Sequence, residues 1–210
     1  MTILFTGDSI TDCGRNREWP LSLGQGYAIM AAGELSYRLP DKGLVFYNTG
    51  ISGNKVTDLL ARWQRDCINI NPGLLSILIG INDLWHHVMG NEGLSLPLFK
   101  QEYGIILEQT RARLPNAKTI LCEPFLLNAD AIKDEYPILE PELNLRRQAV
   151  KELADMYGCT FIPLQEAFDK ACKTAPPEYW AVDGIHPSHA GNMLIAREWI
   201  KYAEGNISKI

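Results

Sequence analysis

Short runs of apolar residues alternate along the chain with longer segments in which apolar side chains recur at helical spacing. A short apolar run bounded by turn-forming residues is typical of a strand, and a near-continuous run is typical of a parallel strand buried on both faces. The predicted strands are Ile3–Phe5, Leu44–Tyr47, Leu74–Ile79, Thr119–Cys122 and Cys159–Ile162. The predicted helices are about Tyr27–Leu39, Val56–Cys67, Pro97–Leu114, Glu142–Tyr157, Leu164–Lys173 and Ser188–Ala203. Loops are predicted over Asp12–Gln25, around Trp85–His87 and over Phe125–Pro141.

Five strands that alternate with helices predict an α/β fold with a parallel sheet. Right-handed crossovers place helices on both faces of such a sheet. We therefore expect a three-layer α/β/α sandwich around a five-stranded parallel sheet, formed by residues 1–210 as a single domain. A chain of this length has a core large enough to need no disulfide or metal for stability. Neither of the glycine-rich phosphate-binding motifs is present.

Charge and cysteine usage exclude several classes of partner. The net charge of −5 argues against a nucleic-acid partner, because phosphate binding needs a basic surface. The cysteines are odd in number and lack a Cys-x-x-Cys pair, which predicts neither a disulfide framework nor a zinc site; they are Cys13, Cys67, Cys122, Cys159 and Cys172. No signal peptide and no apolar run of about 18 residues is seen, so we expect no membrane contact and a cytoplasmic protein.

Residues able to take part in catalysis follow three of the predicted strands and precede the last predicted helix. Ser9 follows the first strand, Gly53 follows the second and Asn82 follows the third, while Asp183 and His186 precede the last helix. Because the carboxyl ends of parallel strands lie along one edge of a sheet, we expect these residues to meet there.

Together these groups are the ones that acyl transfer requires. A serine hydroxyl is a weak nucleophile until a base removes its proton, and a neutral imidazole suits that task. A carboxylate is needed to fix the tautomer of the imidazole, and Asp183 is the candidate for this role beside His186. The N–H groups of Ser9 and Gly53 and the side-chain NH₂ of Asn82 are candidates for an oxyanion hole. No metal or other cofactor is expected.

Each residue alone also has a structural interpretation. Ser9 would cap a helix, Gly53 would permit a left-handed turn, and Asn82 would belong to an ordinary turn or cap. His189 is an alternative base. The adjacent pair His86 and His87 does not share a helix face, and a solvated loop is the preferred interpretation over a metal site.

Four segments resemble the sequence blocks of the SGNH/GDSL hydrolase superfamily, in the same order along the chain. They are Gly7–Thr11, Asn48–Gly53, Gly80–Asp83 and Asp183–His186. The resemblance implies a flavodoxin-like sandwich with Ser9 as nucleophile, His186 as base and Asp183 as the orienting acid. It also implies an oxyanion hole formed by Ser9, Gly53 and Asn82.

Within the superfamily, the chain looks most similar to bacterial acetylxylan esterases and related carbohydrate esterases. The similarity extends to Arg15 and Trp85. It implies short-acyl ester hydrolysis on carbohydrates such as xylo-oligosaccharides, and a homo-oligomer. Asp8 and Arg15 are candidate substrate-binding residues, and Trp85 and Trp180 are candidates for a sugar-stacking wall; packing at the rim of the site is the alternative for the two tryptophans.

Two other functions stay open from the sequence. A lipid or thioester acylhydrolase would use the same chemistry but needs an apolar acyl channel, to which Phe125–Leu127 are candidate contributors. A non-catalytic flavodoxin-like binding domain would use Asp8 and Asp12 to hold a cation or to receive a phosphoryl group.

Overall fold

A computed structural model describes residues 1–88, 90 and 93–207. Within these residues five strands form one parallel sheet in the order β2-β1-β3-β4-β5. The strands are β1 (Thr2–Gly7), β2 (Val45–Asn48), β3 (Leu74–Leu78), β4 (Lys118–Cys122) and β5 (Thr160–Ile162). This order is that of a flavodoxin-like doubly wound sheet.

Helices connect the strands and cover the sheet. They are α1 (Ser9–Asp12), α2 (Tyr27–Arg38), α3 (Val56–Trp63), α4 (Ile81–Val88), α5 (Leu96–Arg113), α6 (Tyr136–Tyr157), α7 (Leu164–Ala171), α8 (Pro177–Trp180) and α9 (His189–Ile207). One π-helical turn, Gln64–Ile68, continues α3, and 3₁₀ turns lie at Pro40–Lys42 and Asp130–Ile132.

Alternate residues of the central strands pack against two separate helix layers. Ile3 and Phe5 of β1 face the cluster formed with α2, α7 and α9, whereas Leu4 faces the cluster formed with α3, α5 and α6. Strand β3 is buried along its whole length, as expected for a central parallel strand. The predicted three-layer α/β/α sandwich is therefore confirmed.

Two predicted boundaries are wrong. Residues around Trp85 belong to helix α4 and not to a loop, because Ile81 and Leu84 bury one face of that segment in the core. Helix α6 begins at Tyr136 instead of about Glu142 and contains Pro141. Proline removes one helical hydrogen bond, but buried Leu139 and Leu143 hold this turn against the core. In both cases tertiary packing outweighs the local sequence signal.

The carboxyl ends of β1, β2 and β3 lie side by side and lead into α1, into the loop before α3 and into α4. These are the places where Ser9, Gly53 and Asn82 stand. No helix within the described residues is long and apolar enough to cross a membrane.

Candidate active site

A continuous line of polar contacts joins three side chains at this edge. The Oγ atom of Ser9 lies 2.9 Å from Nε2 of His186, and Nδ1 of the same ring lies 2.7 Å from Oδ2 of Asp183. A neutral imidazole donates from one nitrogen and accepts at the other. With the proton on Nδ1 facing the carboxylate, Nε2 is free to accept the hydroxyl proton of Ser9.

Asp183 is fixed by the backbone of its own turn. Its Oδ1 atom accepts hydrogen bonds from the N–H groups of His186 at 2.7 Å and Ile185 at 3.0 Å. Burial opposes ionisation of Asp183, but these N–H donors and the His186 ring outweigh it, so the pKa of Asp183 lies below its ordinary value. The carboxylate is therefore charged at neutral pH.

The loop that carries this pair, residues 181–188, is called here the His186 loop. It is closed by a β-bridge between Ala181 and Pro187 and is tied to its neighbour by a 2.9 Å hydrogen bond from the N–H of Leu127 to the carbonyl of Gly184. Gly184 has a φ of +80°, and a Cβ there would lie 2.4 Å from the Leu127 oxygen. Only glycine fits this close approach.

Ser9 stands at the first position of α1, and the preceding residue caps that helix. Asp8 accepts a hydrogen bond from the N–H of Ile10 at 3.0 Å. The carboxyl of Asp8 is buried, which raises its pKa to about 7. The residue that caps this helix is therefore Asp8 and not Ser9, which leaves the hydroxyl of Ser9 free to face His186.

Three N–H donors belong to segments that follow the neighbouring ends of β1, β2 and β3. The N–H groups of Ser9 and Gly53 donate to no acceptor within the described residues. The side-chain NH₂ of Asn82 gives one N–H to the carbonyl of Asn54 at 3.1 Å and retains a second. These donors stand on three different elements, and they are groups able to bind a developing negative charge on oxygen.

The loop with Gly53, residues 49–55, is called here the Gly53 loop. Its end is fixed at the start of α3, where the N–H of Val56 lies 3.1 Å and 3.3 Å from the two oxygens of Asp83. Burial raises the pKa of Asp83 to about 7. Arg62 of α3 donates to the carbonyl of Thr49 at 2.7 Å and to Oδ1 of Asn54 at 2.9 Å.

The candidate substrate-binding residues are less exposed to solvent than the sequence suggested. Asp8 is 1% exposed, which does not fit a contact with substrate. Arg15 is half-buried and donates from Nε to the carbonyl of Gly50 at 2.7 Å. Trp85 and Trp180 are partly buried and pack against the core, and each keeps part of its surface accessible.

Exposed apolar side chains occur shortly before Asp183 and His186 in the chain. Tyr179 is 56% exposed and stands edge-on to Trp180 with ring centroids 5.1 Å apart, and Val182 is 66% exposed. Sequence reasoning did not single out either residue. Because exposure depends on the fold around α8, no local signal marks them.

The histidines outside the site do not join it. His189 is exposed at the start of α9, and Ser9 is paired with His186 instead. His86 and His87 lie on α4. In the part of the chain that the structure describes, no three His, Cys, Asp or Glu side chains are grouped to hold a metal ion, and the five cysteines are free.

An α/β/α sandwich with this serine, histidine and aspartate at its carboxyl edge is the architecture of an acyl hydrolase, and the chain belongs to the GDSL-like lipase/acylhydrolase family, which matches residues 5–194. It is a carboxylic ester hydrolase. The predicted resemblance to SGNH/GDSL hydrolases and to acetylxylan esterases is confirmed.

Several relatives are similar over nearly the whole chain. An acetylxylan esterase of Geobacillus stearothermophilus is 36% identical over 95% of this chain and 92% of its own length. A solved structure of a catalytic mutant of that enzyme has a TM-score of 0.87 at 33% identity, covering 96% of this chain and 93% of the relative. A GDSL-like protein of Parabacteroides merdae has a TM-score of 0.92 at 38% identity, covering 97% and 95%. In the Geobacillus enzyme, alanine replacements of a histidine, a serine and an aspartate are each described as catalytic mutants.

Proposed function

We propose that the chain is a serine esterase that removes acetyl groups from carbohydrates such as xylo-oligosaccharides, with Ser9, His186 and Asp183 as its catalytic triad. The observation that carries the proposal is the line of 2.9 Å and 2.7 Å contacts from Ser9 through His186 to Asp183. It is supported by the acetylxylan esterase relative, whose catalytic mutants replace the same three residue types.

In this mechanism the Ser9 oxygen attacks the carbonyl carbon of the acetyl ester while His186 takes the hydroxyl proton at Nε2. The negative oxygen of the tetrahedral intermediate accepts hydrogen bonds from the N–H groups of Ser9 and Gly53 and from Asn82. The C–O bond to the sugar then breaks, and His186 returns its proton to the departing sugar oxygen. An acetyl group remains on Ser9.

The second half of the cycle regenerates the serine. His186 takes a proton from a water molecule, whose oxygen attacks the acetyl carbonyl of the acyl-enzyme. The same donors hold the second tetrahedral intermediate. Its collapse breaks the bond to the Ser9 oxygen, which recovers its proton from His186, and acetate leaves. Asp183 stays charged throughout and stabilises the imidazolium that forms twice per turnover.

A short acyl group is supported by what surrounds the site. Phe125, Leu126 and Leu127 are completely or almost completely buried in the core, so they are unavailable to line a channel for a fatty-acyl chain. In contrast, 54% of the His186 side chain is exposed. An open site of this kind suits a small acyl group carried by a bulky alcohol, as in an acetylated sugar.

The sugar side of the site is proposed to include Trp180, with Tyr179 beside it, and Arg15 at the edge of the Gly53 loop. Aromatic faces bind sugars through their apolar C–H surfaces. The proposal treats residues 1–210 as one hydrolase domain that needs no cofactor. A homo-oligomeric state and a cytoplasmic location stay predictions.

Turnover of p-nitrophenyl acetate, followed by acetylated xylose and xylo-oligosaccharides, tests the proposal. We expect hydrolysis that falls steeply along an acyl series from acetate to laurate, and Ser9→Ala should lose at least about 10³-fold in kcat while keeping the fold. Near-parental turnover by Ser9→Ala would contradict the assignment. A preference for laurate would favour the lipid hydrolase, and failure of Ser9 to react with a fluorophosphonate probe would favour a binding domain.

A further inference from the structure

Asp12 ends the short helix α1 that begins with Ser9, and its carboxylate faces the Gly53 loop. The Oδ2 atom of Asp12 accepts hydrogen bonds from the backbone N–H of Ser52 at 2.9 Å and from the Ser52 hydroxyl at 3.1 Å. The same oxygen lies 3.0 Å from Nη2 of Arg17. One carboxylate therefore links the helix that carries Ser9 to the residue directly before Gly53.

The carboxylate of Asp12 is buried, whereas its partners Ser52 and Arg17 are exposed. Burial opposes ionisation of Asp12, but the Ser52 N–H, the Arg17 guanidinium and the Ser52 hydroxyl hold the pKa of Asp12 below its ordinary value. Hydrogen bonds to an ionised acceptor are roughly twice as strong as those between neutral groups. The link to Ser52 is thus stronger than one of the same length to a neutral acceptor.

Two further contacts hold the same pair of segments together. The side chain of Asn48, which is buried, donates to the carbonyl of Thr11 at 2.6 Å and accepts from the N–H of Gly50 at 2.8 Å. A Cβ on Gly50 would lie 2.5 Å from the backbone nitrogen of Asp12. The two backbones are therefore packed directly against each other.

The N–H that the proposed mechanism uses belongs to the residue after Ser52, Gly53. The N–H of Ser52 is held by Asp12, while the N–H of Gly53 donates to no acceptor within the described residues. Gly53 has a φ of +81°, and no neighbouring atom lies within 4 Å of the position where a Cβ would stand, so packing there does not fix the direction of its N–H. Its orientation depends on how the neighbouring peptide is held.

We propose that Asp12 is a positioning residue of the esterase, which fixes the Ser52 peptide and thereby aims the N–H of Gly53 at the oxyanion formed on Ser9. The inference rests on the proposed function and extends it. Loss of an oxyanion donor costs about 10²–10³ in kcat, and misplacement by about 1 Å costs up to about 10². We therefore expect Asp12→Ala to lower kcat roughly 10- to 100-fold while KM changes by less than about three-fold.

Two matched variants separate positioning from charge. Asp12→Asn keeps an oxygen that accepts from Ser52 but loses the charge, and its kcat should lie between those of the parental protein and Asp12→Ala. Arg17→Ala removes the ion pair and leaves the contact between Asp12 and Ser52 in place, so its kcat should stay within about three-fold of the parental value.

Binding of phenylboronic acid measures the oxyanion site separately from a general loosening of the protein. A boronate on Ser9 places an oxygen where the oxyanion forms, so Asp12→Ala should weaken its binding by about the same factor as it lowers kcat/KM. Unchanged kcat in Asp12→Ala, or a fall in kcat with unchanged boronate binding, would overturn the proposal. If Asp12→Ala does not fold, the same two criteria apply to Asp12→Asn.

Hydrogen exchange distinguishes failure of this inference from failure of the proposed function. Peptides that cover residues 49–55 should exchange faster in Asp12→Ala than in the parental protein or Arg17→Ala. A parental protein that hydrolyses no ester would refute the proposed function, and unchanged exchange in Asp12→Ala would then refute the link to Ser52 as well. An active, Ser9-dependent parent with an unaffected Asp12→Ala variant refutes the positioning role alone.

Discussion

The two sides of the candidate site are held in very different ways. The Gly53 loop is fixed by buried polar groups from several elements, including Asp12 of α1, Asp83 of α4 and Arg62 of α3. The His186 loop is held mainly by its own turn, and 44% of the Asp183 side chain and 54% of the His186 side chain are exposed. The difference suggests a division of labour. In the proposed mechanism, the donors that bind the charge of the transition state need fixed positions, whereas the imidazole exchanges protons with substrate and water.

The strongest test of the exposed side is Asp183→Asn. An amide at this position no longer fixes the proton on Nδ1 of His186, and the wrong tautomer in such triads costs roughly 10⁴-fold in kcat. We expect a loss of that order on p-nitrophenyl acetate. Since the pKa of Asp183 is below its ordinary value, the parental protein should lose this carboxylate only at pH values below about 4. Retention of a tenth of the parental kcat would show that water substitutes for Asp183.

The next largest effect is expected from Asn82→Ala on the anchored side. Loss of one oxyanion donor lowers kcat by about 10²–10³ with little change in KM. Asn54→Ala is the matched control, because it keeps the backbone carbonyl that accepts from Asn82 and removes only the side-chain contact with Arg62. Steady-state kinetics of the two variants should differ by at least about ten-fold in kcat. Equal losses would mean that Asn82 acts only by anchoring the loop.

Alanine substitutions at one glycine in each loop compare the space available there for a side chain. Gly184 and Gly53 have φ values of +80° and +81°, but a Cβ on Gly184 would meet the Leu127 oxygen at 2.4 Å, whereas a Cβ on Gly53 meets no atom within 4 Å. Both alanine variants carry similar backbone strain, on the order of 1 kcal/mol. Gly184→Ala should lose roughly 1–3 kcal/mol more in the free energy of unfolding because of the clash. Similar denaturant midpoints for the two would contradict the packing described for the His186 loop.

The last prediction concerns stability alone, through the buried carboxyl beside Ser9. Burial raises the pKa of Asp8 from 3.8 to about 7, so the folded state binds more protons than the unfolded state between these values. Stability therefore falls as the pH rises through this window. Asp8→Asn keeps an acceptor for the N–H of Ile10 and cannot ionise. Its free energy of unfolding should exceed the parental value at pH 8 and approach it at pH 4. An equal difference at both pH values would contradict the shift.

Much of the fold and of the site is predictable because it is encoded locally. The apolar runs mark all five strands, and the placement of Ser9, Gly53 and Asn82 at one edge follows from the parallel strands that precede them. The early start of α6 and the helical state of α4 are not predictable in this way. They depend on burial of residues such as Leu139 against distant parts of the chain.

The supporting groups of the site were also beyond local patterns. Asp12 is recognised as a bridge only when residues 40 positions apart are brought together, and the sequence left it as a candidate cation ligand. Asp8 is a candidate for substrate binding by sequence alone, but it is buried in the structure. Neighbours in space, not in sequence, determine whether a carboxylate binds a ligand or holds a loop.

The exposure of His186 has a consequence for the acetyl-enzyme of the proposed mechanism. An acyl group held at an open surface is reached by bulk water as readily as by any dissolved alcohol, whereas an enclosed site can exclude water in favour of a second substrate. The architecture therefore favours release of free acetate over transfer of the acetyl group to another hydroxyl, and deacetylation should run to completion even in concentrated sugar.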